Sequence, residues 1–301
     1  VSTIGYVCEK MGLSGIPQEA AAILTDKALM KEAFLKGSVS VSTGMRVYSL
    51  EEAKAAAERI GYPVVVKRVD SSGSRGITVV EKPERLEEAY HHAAKRSTRD
   101  YVLVEGFIKG TEIGVDGFVQ DGRLVFLAPH TKFVYRGKNT TIPVGHAFPY
   151  TCSREVYDEI GRQMQAAVTA SGADRCSINA DVFVDGNKVS IIEMGGRTGA
   201  TCIPELISIY YGFDFYEKML RSALGETVEF NCAGKQPCMA KLLLSPVEGK
   251  ISHIDIEGIR RLEEKGVDVS LDFPVGHKVF AMADGTDRIG HIIAKTEEES
   301  Q

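Results

Sequence analysis

Two acidic side chains, Asp181 and Glu193, stand twelve residues apart in two β-type runs, 178–184 and 188–193, joined by Asp185-Gly186-Asn187. Folded as an antiparallel pair, these runs bring the carboxylates near each other across the ladder. There they repel unless a hard cation lies between them. Mg2+ bridging the phosphates of a nucleotide is the natural occupant. The other reading is a pair of solvated positions on a half-buried sheet. Against it stands the run that follows, Gly195-Gly196-Arg197-Thr198-Gly199-Ala200. An arginine flanked by glycines at a strand end is approachable, and its planar fork suits a carboxylate or phosphate.

A second block is Val65-Val66-Lys67 followed by Ser71-Ser72-Gly73-Ser74-Arg75-Gly76. A strand lysine beside a glycine-serine loop offers an ammonium and unshielded N–H groups to phosphate oxygens. It is not a Walker A loop, because no Gly-Lys-Ser/Thr follows and the loop leads into a strand. Taken alone it fits a surface hairpin equally well. The period of two puts Val65 on the face of Lys67, an apolar surface next to a cation, as a purine next to its phosphates requires. A third block, Glu105-Gly106-Phe107-Ile108-Lys109-Gly110-Thr111-Glu112, breaks a strand between two glycines. Open backbone there can read an adenine edge, although an ordinary strand-loop-strand has the same appearance.

These blocks need elements to hold them. Thr25 is the expected cap of a helix over 26–35, and Ser49 with Glu52 forms a capping box for a helix over 50–60 that Gly61 ends. Strands are expected at 63–67, 77–80, 101–105, 112–119 and 123–128, with Asp121-Gly122 as a tight turn between the last two. Apolar stripes place helices over 86–94, 156–168 and 213–223. The tail reads as a small α+β lobe, with strands at 240–244, 278–283 and 291–294 around a helix near 257–265. Residues 1–12 read as the end of a helix belonging to a preceding domain.

Composition narrows the function classes. The chain has 301 residues, 44% of them hydrophobic, and a formal charge of −5. That is enough for a sizeable core and shows no basic face for nucleic acid. No apolar run reaches the ~20 residues that span a bilayer and no basic leader precedes an apolar stretch. A soluble, cytoplasmic protein without membrane or nucleic-acid partners is expected. The six cysteines form no C-x-x-C pair and read as reduced, mostly buried thiols. His91-His92 and Arg260-Arg261 read as solvated helix faces. A loop histidine satisfied by backbone is the commoner reading of His146.

The order Lys27, Lys67, Ser/Gly loop, Glu105 to Glu112, Asp181, Glu193-Met194-Gly195-Gly196-Arg197 resembles the ATP-grasp superfamily over nearly the whole chain. Biotin carboxylase, carbamoyl phosphate synthetase and D-alanine–D-alanine ligase share the pattern. The resemblance implies an α+β fold, with two α+β lobes holding ATP between them and a small C-terminal α+β lobe. It divides the chain into the exit of a preceding domain (1–15), an ATP-grasp domain (16–235, flap lobe about 42–104) and a C-terminal lobe (236–301).

It also implies roles. Lys27 and Lys67 look like the lysines that hold ATP phosphates, and Ser72, Gly73, Ser74 and Gly76 like the flap that closes over them. Glu105 and Ile108 match hinge positions whose main chain meets adenine, with Phe107 between them in the nucleotide-binding set. Glu112 matches the acid that grips the ribose, and Val65 and Phe183 would sandwich the base. Asp181 and Glu193 match the acid pair for Mg2+, or Mn2+ in its place. Arg197 matches the arginine that steadies an acyl phosphate, and Lys132 stands where the family often has a cation near the transferred phosphate. One position departs from the family: Gly195 replaces the usual asparagine of Glu-x-Asn, so that water or Asn179 would stand in.

The implied activity is ATP-dependent joining of a carboxylate to an amine through an acyl phosphate, releasing ADP and phosphate. Gly145-His146-Ala147-Phe148-Pro149 and Arg197-Thr198-Gly199-Ala200-Thr201 look more like the amino-acid ligase and carbamoyl phosphate synthetase-like branch than like biotin carboxylase. The implied partners are a small carboxylate and a small amine, with a homodimer as a further expectation. The alternatives are a carbamoyl phosphate synthetase-like or biotin carboxylase-like enzyme and, in a different class, a non-catalytic ATP-binding regulatory or interaction module.

Overall fold

The computed structural model describes residues 1–70, 76–95, 97–136, 141–282 and 287–296. In chain order the elements are α1 (Ser2–Met11), α2 (Gln18–Ile23), α3 (Lys27–Lys36), β1 (Gly44–Val47), α4 (Leu50–Ile60), β2 (Val64–Lys67), β3 (Ile77–Val80), α5 (Leu86–Ala94), β4 (Val102–Gly106), β5 (Thr111–Gln120), β6 (Arg123–Arg136) and β7 (Thr141–Phe148). They continue with α6 (Arg154–Ser171), β8 (Cys176–Asp185), β9 (Lys188–Gly195), α7 (Ile203–Tyr211), α8 (Phe215–Ala223), β10 (Cys238–Leu244), β11 (Gly249–Lys250), α9 (Ile256–Glu263), β12 (Val267–Leu271), β13 (Lys278–Val279) and β14 (Arg288–Lys295). Helices and antiparallel sheets make an α+β fold. Among the described residues no helix is long and apolar enough to cross a membrane.

Two compact units divide the chain. The first comprises Val1–Leu127, Cys152–Thr198 and Met219–Glu229, the second Ala128–Thr151, Gly199–Lys218 and Phe230–Gln301. In the first, a four-stranded sheet of order β1-β4-β2-β3 is covered on one face by α4 and α5. Ala53, Ala56 and Ala57 recur at one-turn spacing on α4 and pack with Val64, Val66, Val104, Leu86 and Ala89. The Ser49 hydroxyl accepts from Glu52 N–H, and the Glu52 carboxylate accepts from Tyr48 N–H, so the expected capping box forms one residue displaced on its return arm. Gly61 ends α4 at φ 86°, a conformation glycine adopts without strain.

The opposite face of that sheet carries Val65, Lys67, Leu103 and Glu105, since Val65 pairs with Glu105 and Lys67 with Leu103. Leu103 packs with Ala28 of α3 and with Val69. The cap of α3 is Asp26, not Thr25. The Asp26 carboxylate accepts from Ala28 and Leu29 N–H, while the Thr25 hydroxyl donates back to the Ala21 carbonyl. A carboxylate also complements the positive end of the helix dipole better than a hydroxyl. The same unit holds β5, β8 and β9 in antiparallel register, with α6 against β9.

In the second unit, β10 pairs with β7 and β14, and β14 with β12. Rings of His130, His146, Phe148, Tyr210, Tyr211, Phe213 and Phe230 meet in succession. Three sequence expectations are corrected here. β6 runs on through Arg136, so Lys132 lies inside a strand. The helix expected over 213–223 begins at Phe215 and is preceded by α7. The strand expected at 278–283 is two residues long within the described chain. β7, α7, β11 and β12 in this unit, and α2 and β1 in the first, were not anticipated. β7 lacks a clean alternation and α7 opens on Ile203-Pro204-Glu205 with too few polar residues to mark its period, whereas β12 alternates strictly, Val267, Val269 and Leu271 against Asp268 and Ser270, and was legible in the sequence.

Candidate active site

Glu105 sits on the inner strand β4 and is 2% exposed. Its carboxylate forms ion pairs with Lys67 of β2 and with Lys31 of α3, the latter at 3.0 Å. Lys31 Nζ donates in addition to the Ser42 carbonyl and hydroxyl. Gly44 is directly opposite Glu105 on β1, and a Cβ there would lie 3.2 Å from the Lys31 stem. The missing side chain is what lets Lys31 reach in. Burial alone would push the Glu105 carboxyl up, but Lys67 and Lys31 outweigh it and hold the group below its usual range. For Lys31 burial wins and its pKa is lowered despite Glu105. For Lys67 burial also acts to lower, yet Glu105, Glu193 and Asp181 together raise it. Two lysines around one carboxylate make a buried cluster, and its Lys67 also interacts electrostatically with Asp181 and Glu193.

That pair is formed across β8 and β9, where Asp181 stands directly opposite Glu193. A bulge between Asp181 and Val182 sets this register. Lys27, in the first turn of α3, closes on Glu193 at 3.0 Å, and its own N–H is held by the Val69 carbonyl at 3.0 Å. Helix α3 thus presents Lys27 and Lys31, one turn apart on one face, to the two acidic centres.

A cavity of about 250 Å3 is lined by Lys27, Asp70, Asn179, Asp181, Glu193 and Arg197, among others. Arg197 is exposed and its guanidinium donates to the Thr198 carbonyl at 2.7 Å. The glycines before it differ in purpose. Gly196 is buried, and a Cβ there would collide with Ile16, so close packing requires it. This corrects the expectation of open backbone at both glycines. Asp70 accepts from Thr98 N–H at 2.6 Å, from the Thr98 hydroxyl, and from Arg68 at 2.8 Å. Burial acts to raise its pKa, but Thr98 and Arg68 draw it down to about 2.

Of the residues named from the sequence, Lys27, Asp181, Glu193 and Arg197 line one cavity, and Lys67 is electrostatically coupled to the two acids. Val65, Phe107, Ile108, Glu112 and Phe183 do not line it. Glu112 opposes Phe183 across β5 and β8, Val65 is buried opposite Glu105, and Phe107 is exposed. The N–H groups of Gly106 and Phe107 are taken by the Thr43 and Pro63 carbonyls. The open backbone expected at the strand break is therefore not found at those two positions. Gly76 is described, with φ 73° beneath the Arg68 side chain. Ser72, Gly73 and Ser74 lie outside the described residues. Lys132, in the second unit, is half-buried opposite His146. Burial together with His130 and Lys132 pushes His146 down to about 2, so it is a neutral imidazole. Lys31 and Asp70 were missed; the signal for Lys31 was its four-residue spacing from Lys27 on one helix face.

A family model described as an ATP-grasp domain matches residues 60–205. An uncharacterised protein of Sinorhizobium fredii is 26% identical over 97% of this chain, which spans 61% of that protein's length. The D-alanine–D-alanine ligase of Geobacter sulfurreducens is 28% identical, over 73% of this chain and 72% of that protein. Among solved structures, phosphoribosylglycinamide synthetase from Anaerococcus prevotii superimposes with a TM-score of 0.76 at 28% identity, covering 99% of this chain and 75% of that one.

Proposed function

On the premise that the chain belongs to the ATP-grasp superfamily, we propose that it is an ATP-dependent carboxylate–amine ligase working through an acyl phosphate. The observation that carries this reading is the placement of Asp181 directly opposite Glu193, with Lys27 on Glu193 and Lys67 coupled to both acids. Cations and acids so interleaved suit a polyphosphate and its counter-ion, since each can exchange protein partners for ligand ones.

The donor set fits Mg2+. Two carboxylates supply hard oxygens, and no group of three or more His, Cys, Asp or Glu converges on a metal position among the described residues. That leaves coordination places for phosphate and water, the arrangement this ion favours. When bound, Mg2+ would neutralise phosphate oxygens around the transferred group. Lys27 and Lys67 then hold the phosphates in line for attack by the substrate carboxylate on the γ-phosphorus. Bond formation to the carboxylate oxygen expels ADP. The amine attacks the acyl carbon, loses its proton and displaces phosphate. Arg197, exposed on the cavity wall, is assigned to the negative charge that builds on the carboxylate oxygens.

ADP release, measured across pairs of small carboxylates and amines with the full-length protein, tests the reading. Release that depends on both substrates is expected. Arg197→Ala should lower kcat about a hundredfold, the loss of one preorganised donor, while ATP affinity stays within about twofold. Tight ATP binding with no substrate-dependent ADP release would assign the chain to a binding module instead.

A further inference from the structure

We propose that the side-chain carbonyl of Asn179 is a third protein ligand for the divalent cation, held in its orientation by Asp116. The proposal rests on the assignment of Asp181 and Glu193 to that ion. Asn179 precedes Asp181 by two residues on β8 and therefore shares its sheet face. Just as Asp181 stands opposite Glu193, Asn179 stands opposite Gly195, and all four line the same cavity.

The amide has a fixed orientation. Asn179 Nδ2 donates to Asp116 Oδ2 at 2.8 Å, from the residue directly opposite on β5. Asp116 is wholly buried. With its nitrogen given to Asp116, the amide faces β5 through that nitrogen and turns its carbonyl oxygen away from Asp116. That oxygen is a neutral, hard donor of the kind Mg2+ and Mn2+ accept. With two carboxylates already at the site, a neutral ligand adds coordination without adding repulsion.

Gly195, directly opposite on β9, brings no side chain of its own to the cavity wall beside Asn179. Backbone strain does not require a glycine there, because it is absent from the positive-φ residues. Crowding does not require it either: a Cβ would lie 3.8 Å from Arg197 Cγ and 3.9 Å from the backbone carbonyl oxygen of Asn179, ordinary contacts. Position 195 could therefore accept an asparagine, and the polar donor opposite could then be moved from one strand to the other.

The experiment is a Mn2+ titration of the full-length protein by electron paramagnetic resonance, with a saturating non-hydrolysable ATP analogue. Asn179→Ser removes the amide and leaves a hydroxyl one bond shorter than the amide oxygen, with far-ultraviolet circular dichroism to show that the fold is kept. It should weaken Mn2+ binding about tenfold or more. Adding Gly195→Asn to that variant should restore affinity to within about threefold of wild type. Unchanged Mn2+ affinity in Asn179→Ser, while Asp181→Asn and Glu193→Gln each weaken it, would overturn this proposal alone. If the two acid variants also leave Mn2+ binding unchanged, the metal assignment behind it falls as well. A loss in Asn179→Ser that Gly195→Asn does not repair would count against interchange across the ladder and so against the proposal.

Discussion

Glu105→Gln keeps the shape of the buried side chain and removes the one negative charge between Lys31 and Lys67. All three side chains are at most 6% exposed, so water cannot take over the role of the carboxylate. Removing one partner of a buried ion pair costs about 3–5 kcal/mol. Part of that is direct repulsion. Two ammonium groups held around a single carboxyl are about 6 Å apart, which at an effective dielectric of ~20 amounts to about 3 kcal/mol. Lys31 already has a lowered pKa through burial, and without Glu105 it would be lowered further. The unfolded state then binds more protons than the folded one, so the variant's stability should rise with pH towards the ordinary lysine range. The assay is urea denaturation followed by far-ultraviolet circular dichroism at pH 7 and pH 9.5. With a slope of about 3 kcal/mol per molar urea the midpoint should fall by about 1–1.5 M at pH 7 and by less at pH 9.5. Lys31→Met/Glu105→Gln, which retains a single cation, should recover much of the loss. A Glu105→Gln midpoint within 0.3 M of wild type, on the order of 1 kcal/mol by the same slope, would refute the view that this cluster is held by its central charge.

Two other perturbations follow from the same geometry. Lys27→Met frees Glu193 from its partner at 3.0 Å; the pair is partly exposed and worth up to about 1 kcal/mol. Mn2+ binding without nucleotide should therefore tighten by about two- to fivefold, while ATP binding weakens about tenfold or more by calorimetry. Weakening of both would mean that Lys27 and the ion do not compete for Glu193. Asp70, drawn from 3.8 down to about 2, gives stability that is present above pH 4 and lost as pH falls towards 2, about 2 kcal/mol by linkage. Asp70→Asn should remove that contribution, so that wild type and variant melt closer together at pH 2.5 than at pH 6. A constant gap in Tm would contradict it.

What the sequence revealed was mostly what depends on near neighbours. The α4 helix is legible because Ser49, Glu52 and Gly61 act within a turn of its ends. The cap of α3 was misread because Thr25 and Asp26 are both good caps, and the choice is made by distant partners: Tyr101 donates to Asp26 at 2.5 Å, and Arg99 lies 3.7 Å from it. Lys31 shows the limit more clearly. Its spacing marks it as a neighbour of Lys27. Its burial against Glu105, however, depends on a glycine at position 44 and on α3 docking over that sheet face. Periodicity registers none of this.

The acid pair was anticipated from the short turn that joins its strands, yet the turn alone would have placed it wrongly. Asp185 pairs with Lys188, Val184 with Val189, Phe183 with Ser190 and Val182 with Ile191. Continued without interruption, that register sets Asp181 opposite Ile192 and Glu193 opposite Ala180. Because side chains alternate in direction, Glu193 would then point to the face opposite from Asp181. The bulge inserts one residue, Ile192, and realigns Asp181 with Glu193 and Asn179 with Gly195. It also keeps both runs of core residues on the buried face: Val182, Val189 and Ile191 before it, Ala180 and Met194 after it. Met194 is fixed from outside the pair, its N–H directed at the Met30 sulfur of α3 at 3.2 Å. The helix that carries Lys27 and Lys31 therefore also supports the strand segment whose register sets the acids, so the cationic and anionic halves of the site are positioned by one element.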